Sequence, residues 1–191
     1  GLPMFDGEEL RRFIGQAAWV TVNDYEGRLL SERTGWTEEE IAGRVRALIL
    51  AEFPKGLKVV RDYDTSIPEF RGDREQLIQA VLNIVHNAAQ ALTERIAAGD
   101  AQITLRTRVL RQLTVGRQRY RLALELHVID NGPGVPDSIK DRVFSPLVSG
   151  RDGGTGLGLT LAQTFVQQHH GLIELESGPG RTDFRILIPL P

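Results

Sequence analysis

Two glycine-containing stretches carry the clearest chemical signal of this 191-residue chain. Asp130-Asn131-Gly132-Pro133-Gly134 closes an alternating apolar segment, and Gly154-Thr155-Gly156-Leu157-Gly158-Leu159 opens an apolar helical pattern. Glycines let a backbone approach a ligand closely, and the amides of a helix N-terminus attract phosphate. Together the stretches predict a pocket for a phosphorylated ligand, with the glycine-rich segment between them as a flexible cover. Taken singly, the first also fits a tight turn and the second a hinge.

A second group of polar residues lies on one predicted helix. Asn83, His86 and Asn87 stand opposite the apolar stripe of residues 74–98. Asparagine is a poor mid-helix residue, so two of them one turn apart indicate a specific use. Mg²⁺ accepts neutral side-chain oxygens beside phosphate oxygens, which makes Asn87 a candidate magnesium ligand with Asn83 next to it. His86 could donate to a phosphate, although a solvated helix face with a surface histidine explains the same pattern.

Three further residues extend the predicted pocket. Asp130 ends its strand with a carboxylate, which accepts hydrogen bonds. If buried, it would select adenine, whose exocyclic amine donates, over guanine, whose carbonyl accepts. Arg151 lies in the irregular segment and could reach a phosphate or remain solvated. Phe144 is an apolar residue of that segment, and we expect it to attach the segment to the core.

The periodicity of apolar residues predicts the elements that must position these side chains. Strands are predicted over residues 57–63, 101–109, 119–130, 172–177 and 182–190, and the main helices over residues 37–53, 74–98 and 155–170. Thr37 is the expected N-cap of the first of these helices. Few strands are followed by a crossover helix, so the fold is predicted to be α+β. The expected architecture is a two-layer sandwich with a mixed sheet and its helices on one face.

Composition excludes several classes of function. Lys and Arg total 23 against 25 Asp and Glu, which argues against binding nucleic acid or an anionic membrane through bulk charge. The chain has no cysteine, so thiolate catalysis and cysteine-ligated zinc are excluded. No apolar run approaches the roughly 20 residues of a membrane span, and the start shows no signal peptide. The expectation is a cytoplasmic protein that contacts neither nucleic acid nor membrane.

Taken in order, these motifs resemble the catalytic ATP-binding domain of sensor histidine kinases, in the GHKL superfamily with gyrase, Hsp90 and MutL. Residues 82–88 resemble the N box, residues 130–134 the first glycine box, Phe144 the F box, and residues 154–159 the second glycine box. The resemblance covers roughly residues 45–191. It implies a Bergerat-type fold, in which three helices cover a mixed, mostly antiparallel sheet. It also implies ATP and Mg²⁺ as ligands.

The resemblance implies a role for individual residues. Asn87 would bind magnesium, and Asp130 would bind the adenine amine. Gly132 and Gly134 would shape the base pocket, and Thr182 would complete its adenine side. Residues 145–156 would form a lid over ATP. The residues implied to lie near the phosphates are Thr155, Gly156, Leu157 and Gly158.

Two stretches narrow the resemblance to the nitrogen-regulation branch of these kinases. They are residues 61–64 and residues 144–159. The branch implies an NtrC-type response regulator and a PII-type signal protein as partners, besides the dimerisation domain that carries the phosphoacceptor histidine. The four histidines of this chain all lie outside any H-box context: His86, His127, His169 and His170. The chain is therefore expected to bind ATP without phosphorylating itself.

Residues 1–44 are expected to form a separate N-terminal segment ahead of a catalytic domain at residues 45–191. A short helix over residues 8–18 and a hairpin over residues 19–30 are predicted there. Residues 19–44 resemble pieces of a PAS sensor domain. A whole domain of that kind needs about 100 residues, so a truncated piece is expected.

Two other functions remain open from sequence. A GHKL-type ATPase or serine kinase of another branch generally carries a glutamate one turn before the magnesium-binding asparagine, as base for water. Asn83 stands at that position and cannot take a proton near neutral pH, so slow hydrolysis is expected. The other function is a non-catalytic module, in which nucleotide-dependent order of the lid controls a partner surface.

Overall fold

The computed structural model describes residues 37–68, 72–146 and 156–190. The elements predicted before residue 37, with most of the PAS-like stretch, lie outside these ranges. The first described element is helix α1, Glu38–Glu52. The Thr37 side chain accepts the Glu40 amide, and the Glu40 side chain accepts the Thr37 amide. This capping box satisfies two otherwise free amides and confirms Thr37 as the N-cap.

The described sheet has five strands in the order β1-β2-β3-β5-β4. Their bounds are Leu57–Asp62 for β1, Ala101–Val115 for β2, Gln118–Asp130 for β3, Leu172–Gly178 for β4 and Arg181–Pro189 for β5. β1 pairs with β2 in parallel, whereas the other neighbours are antiparallel. The predicted mixed, mostly antiparallel sheet is therefore confirmed. β2 continues to Val115, six residues beyond its predicted end.

The helix predicted over residues 74–98 is two helices, α2 (Arg74–Ala91) and α3 (Thr93–Ala98). The single-helix prediction is wrong at Leu92, whose amide is shared between the carbonyls of Ala88 and Ala89. Such shared bonds are common where a helix ends. A short helix, α4 (Asp137–Lys140), follows β3, and α5 spans Gly158–Gln168. Among the described residues, no helix has the length and apolarity that crossing a bilayer requires.

Three helices, α1, α2 and α5, cover one face of the sheet, with α2 in the middle. The side chains facing them along β3 are Leu124, Leu126 and Val128, all almost fully buried. From the helix layer, Val81 and Val166 meet this row. The predicted two-layer α+β sandwich is confirmed. Its sheet brings the end of β3 and the start of β5 to the same edge of the molecule, next to the C-terminal end of α2.

Candidate functional site

Asp130 is the last residue of β3 and is only 3% exposed. It lies on the helix-covered face of the sheet, because it continues the alternation of Leu124, Leu126 and Val128. Its Oδ1 accepts the amide of Gly132 at 2.8 Å. A carboxylate held this way presents acceptors in an apolar surrounding, where an unpaired charge would be costly. The structure thus gives Asp130 the buried position that recognition of a donor group requires.

The loop after β3 is fixed against the β4–β5 turn. The carbonyl of Gly132 accepts the Gly180 amide at 2.9 Å. A Cβ atom on Gly132 would lie 2.7 Å from Asp130 Oδ1, so any side chain there would displace the carboxylate. Gly134 has a φ of +92°, and a Cβ on it would lie 2.8 Å from the carbonyl oxygen of Gly178. Both glycines are therefore required by the shape of the loop.

Thr182 lies directly opposite Asp130 on the neighbouring strand β5 and is 4% exposed. Its hydroxyl is 3.2 Å from that of Ser177, which in turn accepts the Val135 amide at 2.8 Å. The Lys140 ammonium donates to the Ser177 carbonyl. The structure therefore places Thr182 beside Asp130, the residue with which the resemblance groups it. Ser177, which the sequence argument omitted, connects the Thr182 hydroxyl to the loop after β3.

Asn83 forms the contact that joins α2 to the start of α5. Its Nδ2 donates to the carbonyl of Gly158 at 3.1 Å, and its Oδ1 accepts Nε2 of Gln79 at 2.8 Å. Gln79 therefore fixes which way the Asn83 amide points. Sequence reasoning missed Gln79, although it lies one turn before Asn83 on the same side of the helix, the spacing at which such pairs meet.

We expect Asn83→Ala to loosen the first turn of α5. One part-buried hydrogen bond is worth about 1 kcal/mol, which corresponds to roughly fivefold faster exchange of the first bonded amides of α5, at residues 161–164. Hydrogen exchange followed by mass spectrometry measures this directly. Gln167→Ala, at an exposed position of α5, is the matched control and should leave the exchange unchanged. Equal protection in the Asn83 variant and the parent would contradict the assignment.

The other end of α5 is held by His169. Its Nε2 lies 2.9 Å from the Asp73 amide and accepts it, whereas its Nδ1 lies 2.8 Å from the Phe165 carbonyl. One neutral tautomer, with the proton on Nδ1, satisfies both contacts. Asp73 is the N-cap of α2, so His169 links the C-terminal end of α5 to the N-terminal end of α2. Helix α5 is therefore attached to α2 at both ends.

His86 points toward α1. Its Nε2 lies 3.1 Å from Glu52 Oε2, and both side chains are partly exposed. Asn87 is half-buried, and no hydrogen bond joins its side chain to any residue within 37–68, 72–146 or 156–190. His86 and Asn87 are adjacent in the predicted N box but differ in their contacts. His86 has a carboxylate partner, whereas Asn87 has none within those ranges.

One side of α2 connects the two glycine stretches. Asn83, Asn87 and Ala91 lie one turn apart on that side. Asn83 contacts Gly158 at the start of α5, and a Cβ on Gly132 would lie 3.7 Å from the Cβ of Ala91. Asn87 therefore lies between the start of α5 and the buried end of β3.

The start of α5 carries no acidic residue in its first turn and no side-chain cap. The first backbone bond of this helix runs from the Leu161 amide to the Leu157 carbonyl. The amides before Leu161 therefore have no carbonyl partner within this helix, which is the general state of helix N-termini that bind anions. Gly156 has a φ of +64°, which places the helix start at Gly158 and not at the predicted residue 155. Leu157, the residue just before this helix, is 44% exposed to solvent.

Phe144 joins the segment after α4 to the core. Its ring lies edge-on to that of Phe184 on β5, with centroids 6.2 Å apart and an interplanar angle of 85°. Its carbonyl accepts the Thr160 hydroxyl of α5 at 3.1 Å. The predicted attachment by Phe144 is confirmed. Arg151, Thr155 and most of the predicted lid, residues 145–156, lie outside the described residues.

A charged cluster around Asp183, the residue after Thr182, lies on the face of the sheet opposite Asp130. Asp183 Oδ1 lies 2.9 Å from His127 Nδ1, and its Oδ2 lies 2.8 Å from Arg181. Burial opposes ionisation of Asp183, but the hydrogen bond and charge of His127, with those of Arg181, outweigh it and lower its pKa. Asp183 is therefore a charged structural residue that faces away from Asp130.

Similarity to known proteins agrees with this geometry. The family described as histidine kinase-, DNA gyrase B-, and HSP90-like ATPase matches residues 72–191. The sensory histidine kinase/phosphatase NtrB of Salmonella typhimurium is 49% identical over 151 residues. The matched part is 79% of this chain and 42% of that protein. The chain therefore spans less than half the length of this curated relative.

Two solved structures have the same fold. Full-length ShkA in complex with AMPPNP has a TM-score of 0.65 at 20% identity, over 88% of this chain and 35% of ShkA. Histidine kinase ThkA in complex with the response regulator TrrA has a TM-score of 0.60 at 20% identity, over 83% of this chain and 42% of that chain. At 20% identity these two likenesses concern the fold. The chain belongs to the histidine kinase-, DNA gyrase B- and HSP90-like ATPase family.

Proposed function

We propose that this chain binds ATP with Mg²⁺ and presents the γ-phosphoryl group to a histidine on a separate dimerisation domain, as the catalytic domain of a nitrogen-regulation sensor kinase. In this proposal the catalytic domain comprises residues 45–191 together with the start of α1, whose Ile41 and Ala42 are buried in the same core, and the residues before α1 form a separate segment. One observation supports it most. Asn87 lies between the buried carboxylate of Asp130 and the uncapped start of α5, so base, metal and phosphate sites follow one another along α2.

The adenine site is assigned to the end of β3. Asp130 would accept the exocyclic amine, and Thr182 would lie at its side on β5. Gly132 and Gly134 would leave room for the base, because neither adds a side chain to the loop. Guanine would bring its carbonyl oxygen against the Asp130 carboxylate. The proposal therefore includes a preference for adenine over guanine nucleotides.

The phosphate site is assigned to the start of α5 and to Asn87. Asn87 offers a neutral amide oxygen, and no described group already occupies it. Among the described residues, no three His, Cys, Asp or Glu side chains cluster to form an all-protein metal site. Both observations fit Mg²⁺, which is commonly held by one or two protein oxygens together with substrate phosphates. Gly156, Leu157 and Gly158, with Arg151 and Thr155, are proposed phosphate contacts. His86 is also proposed, but it would have to leave Glu52 on α1 to reach the phosphates.

The hydrogen bonds of Asn83 favour a phosphoryl-transferring domain over an ATPase. Both polar ends of its amide are engaged, one by Gln79 and the other by Gly158. An amide also cannot remove a proton from water. Rate enhancement would come from positioning, electrostatic stabilisation and exclusion of water by residues 145–156. A fast ATPase that depends on Asn83 would instead support the second candidate.

The binding partners that we propose for this chain are inferred from its similarity to NtrB. They are a dimerisation and histidine phosphotransfer domain, an NtrC-type response regulator and a PII-type signal protein. We also propose that the protein is cytoplasmic and that it contacts neither membrane nor nucleic acid. These partners are testable one at a time, since each is a separate protein that can be mixed with this chain with and without ATP.

We expect Asn87→Ala to lower the affinity for ATP by roughly 10–100-fold in the presence of Mg²⁺. The reason is the loss of one interaction with a charged group, worth about 1.5–3 kcal/mol. Calorimetric titration with ATP in Mg²⁺ and in chelator measures the effect. The difference between variant and parent should vanish without the metal.

Phosphoryl transfer to a separately supplied dimerisation domain tests the activity itself. The parent chain should label a histidine there, and Asn87→Ala should label it much more slowly. Gln90→Ala, at an exposed position of the same helix, is the matched control and should behave as the parent in both assays. ATP binding without any transfer would retain the nucleotide site and overturn the kinase assignment.

A further inference from the structure

The hairpin of β2 and β3 carries a concentration of arginine that the nucleotide site does not use. Six arginines lie between residues 106 and 121, and residues 101–124 contain no Asp or Glu. The whole chain has a formal net charge of −2. Since this segment contributes +6, the remainder carries −8. The segment is therefore net positive within a chain whose remainder is net negative.

The charged part of the hairpin extends beyond the rest of the sheet. β1 stops pairing with β2 at Arg106, and β5 begins pairing with β3 at Ala123. Residues 110–122 therefore form a two-stranded extension, which we name the arginine ribbon. Two-stranded hairpins are marginal alone, but this one is anchored. Leu113 is buried with Ala123 and Leu187, and Tyr120 packs against that cluster.

The arginines differ sharply in their partners. Arg106 and Arg108, at the base of the ribbon, both bind Asp62, at 2.7 Å and 2.8 Å. The four arginines within the ribbon are exposed, and none forms an ion pair with a residue in the described ranges: Arg111, Arg117, Arg119 and Arg121. Arg117, Arg119 and Arg121 lie within one five-residue stretch, and unpaired cations this close along a chain repel one another. An external anion would relieve this repulsion.

We propose that the arginine ribbon docks a short acidic segment of a partner protein. Arg117 lies in the turn before β3, and Arg119 and Arg121 lie on β3, so the three span residues 117–121, about 13 Å of extended chain. Roughly five residues of an extended peptide match that length. Guanidinium groups form bidentate pairs with carboxylates, which gives such a contact direction as well as charge. The surface is independent of the nucleotide site and does not require the proposed function.

A protein segment fits this surface better than a nucleic acid or a membrane. A protein that binds nucleic acid strongly can contact about 6–10 phosphates, whereas the ribbon offers four arginines without ion-pair partners in the described ranges. A long polyanion or an anionic bilayer would also face the rest of the chain, whose net charge of −8 repels it. A short acidic segment contacts the ribbon alone and avoids that repulsion.

The test measures binding of a fluorescein-labelled octaglutamate peptide to the full chain by anisotropy, at about 50 mM and about 300 mM salt. We expect saturable binding that weakens at the higher salt. The double variant Arg117→Gln/Arg119→Gln should reduce affinity at least about fivefold, since it removes half of the free cations. ATP binding by the same variant should equal that of the parent, which separates this surface from the nucleotide site.

The matched control is Arg44→Gln/Arg61→Gln, which removes the same charge from exposed positions on α1 and β1. It should leave peptide affinity within about twofold of the parent. An equal loss in both double variants would overturn the proposal, since net charge alone would then explain binding. Absence of peptide binding at the lower salt would also overturn it. Tighter ribbon-dependent binding of a DNA duplex or of phosphatidylserine vesicles would replace the acidic segment with that polyanion.

Discussion

Asp130→Asn should lower the affinity for Mg²⁺-ATP by roughly 30–150-fold, the largest effect of any single polar substitution we expect. An asparagine has one acceptor oxygen in place of two. If that oxygen continues to accept the Gly132 amide, the other end of the side chain is an NH₂ group. Two donors would then face each other where the adenine amine is proposed to lie. A mismatch of this kind in a buried site costs about 2–3 kcal/mol.

The same substitution should change base preference. Guanine presents a carbonyl oxygen where adenine presents an amine, and the new NH₂ group can donate to it. We therefore expect the ratio of ATP to GTP affinity to fall in Asp130→Asn. Paired calorimetric titrations with the two nucleotides measure it.

Asp137→Asn is the matched control for charge, because Asp137 is exposed on α4. It should bind both nucleotides as the parent does. A circular dichroism spectrum equal to that of the parent would show that Asp130→Asn still folds. Unchanged ATP affinity in a folded Asp130→Asn protein would refute the adenine-site assignment and, with it, the direction in which the nucleotide is proposed to lie along α2.

The sequence was sufficient for most of the fold because its signals are local. Alternation of apolar residues along residues 119–130 predicts β3, and Thr37 with Glu40 predicts the start of α1. The end of β2 was less predictable. Residues 110–115 form an extension whose apolar contacts, such as Leu113 with Leu187, come from a distant part of the chain. No local pattern reports a partner 74 residues away.

The candidate site was predictable in its residue types and less so in its contacts. Asn83 and Asn87 are chemically identical and one turn apart, so their spacing alone does not show which contacts each of them makes. Tertiary structure separates them, because Asn83 meets Gly158 whereas Asn87 does not. The structural role of His169 could not be predicted from sequence either, because its side chain accepts the Asp73 amide, which lies 96 residues earlier. Contacts of this kind arise only when the helices pack side by side.

Gly134→Ala should be the most destabilising of the conservative substitutions near the site. Its φ of +92° lies in a region that L-residues enter at a cost of about 1–2 kcal/mol. The new methyl group would also lie 2.8 Å from the Gly178 carbonyl oxygen, which belongs to the backbone and cannot rotate away. We expect a loss of about 2–3 kcal/mol in total, or a fall of roughly 4–12 °C in the melting temperature.

Gly180→Ala separates the two causes. Gly180 has a similar φ of +83°, but a Cβ there would meet no atom within 4 Å. It should therefore lose only the conformational part, about 1–2 kcal/mol. Thermal unfolding of both variants, with and without Mg²⁺-ATP, gives the comparison. Because Gly134 follows Asp130 in the same loop, its variant should also gain less stability from the nucleotide than Gly180→Ala does. Equal melting temperatures for the two variants would show that the Gly178 contact does not constrain the loop.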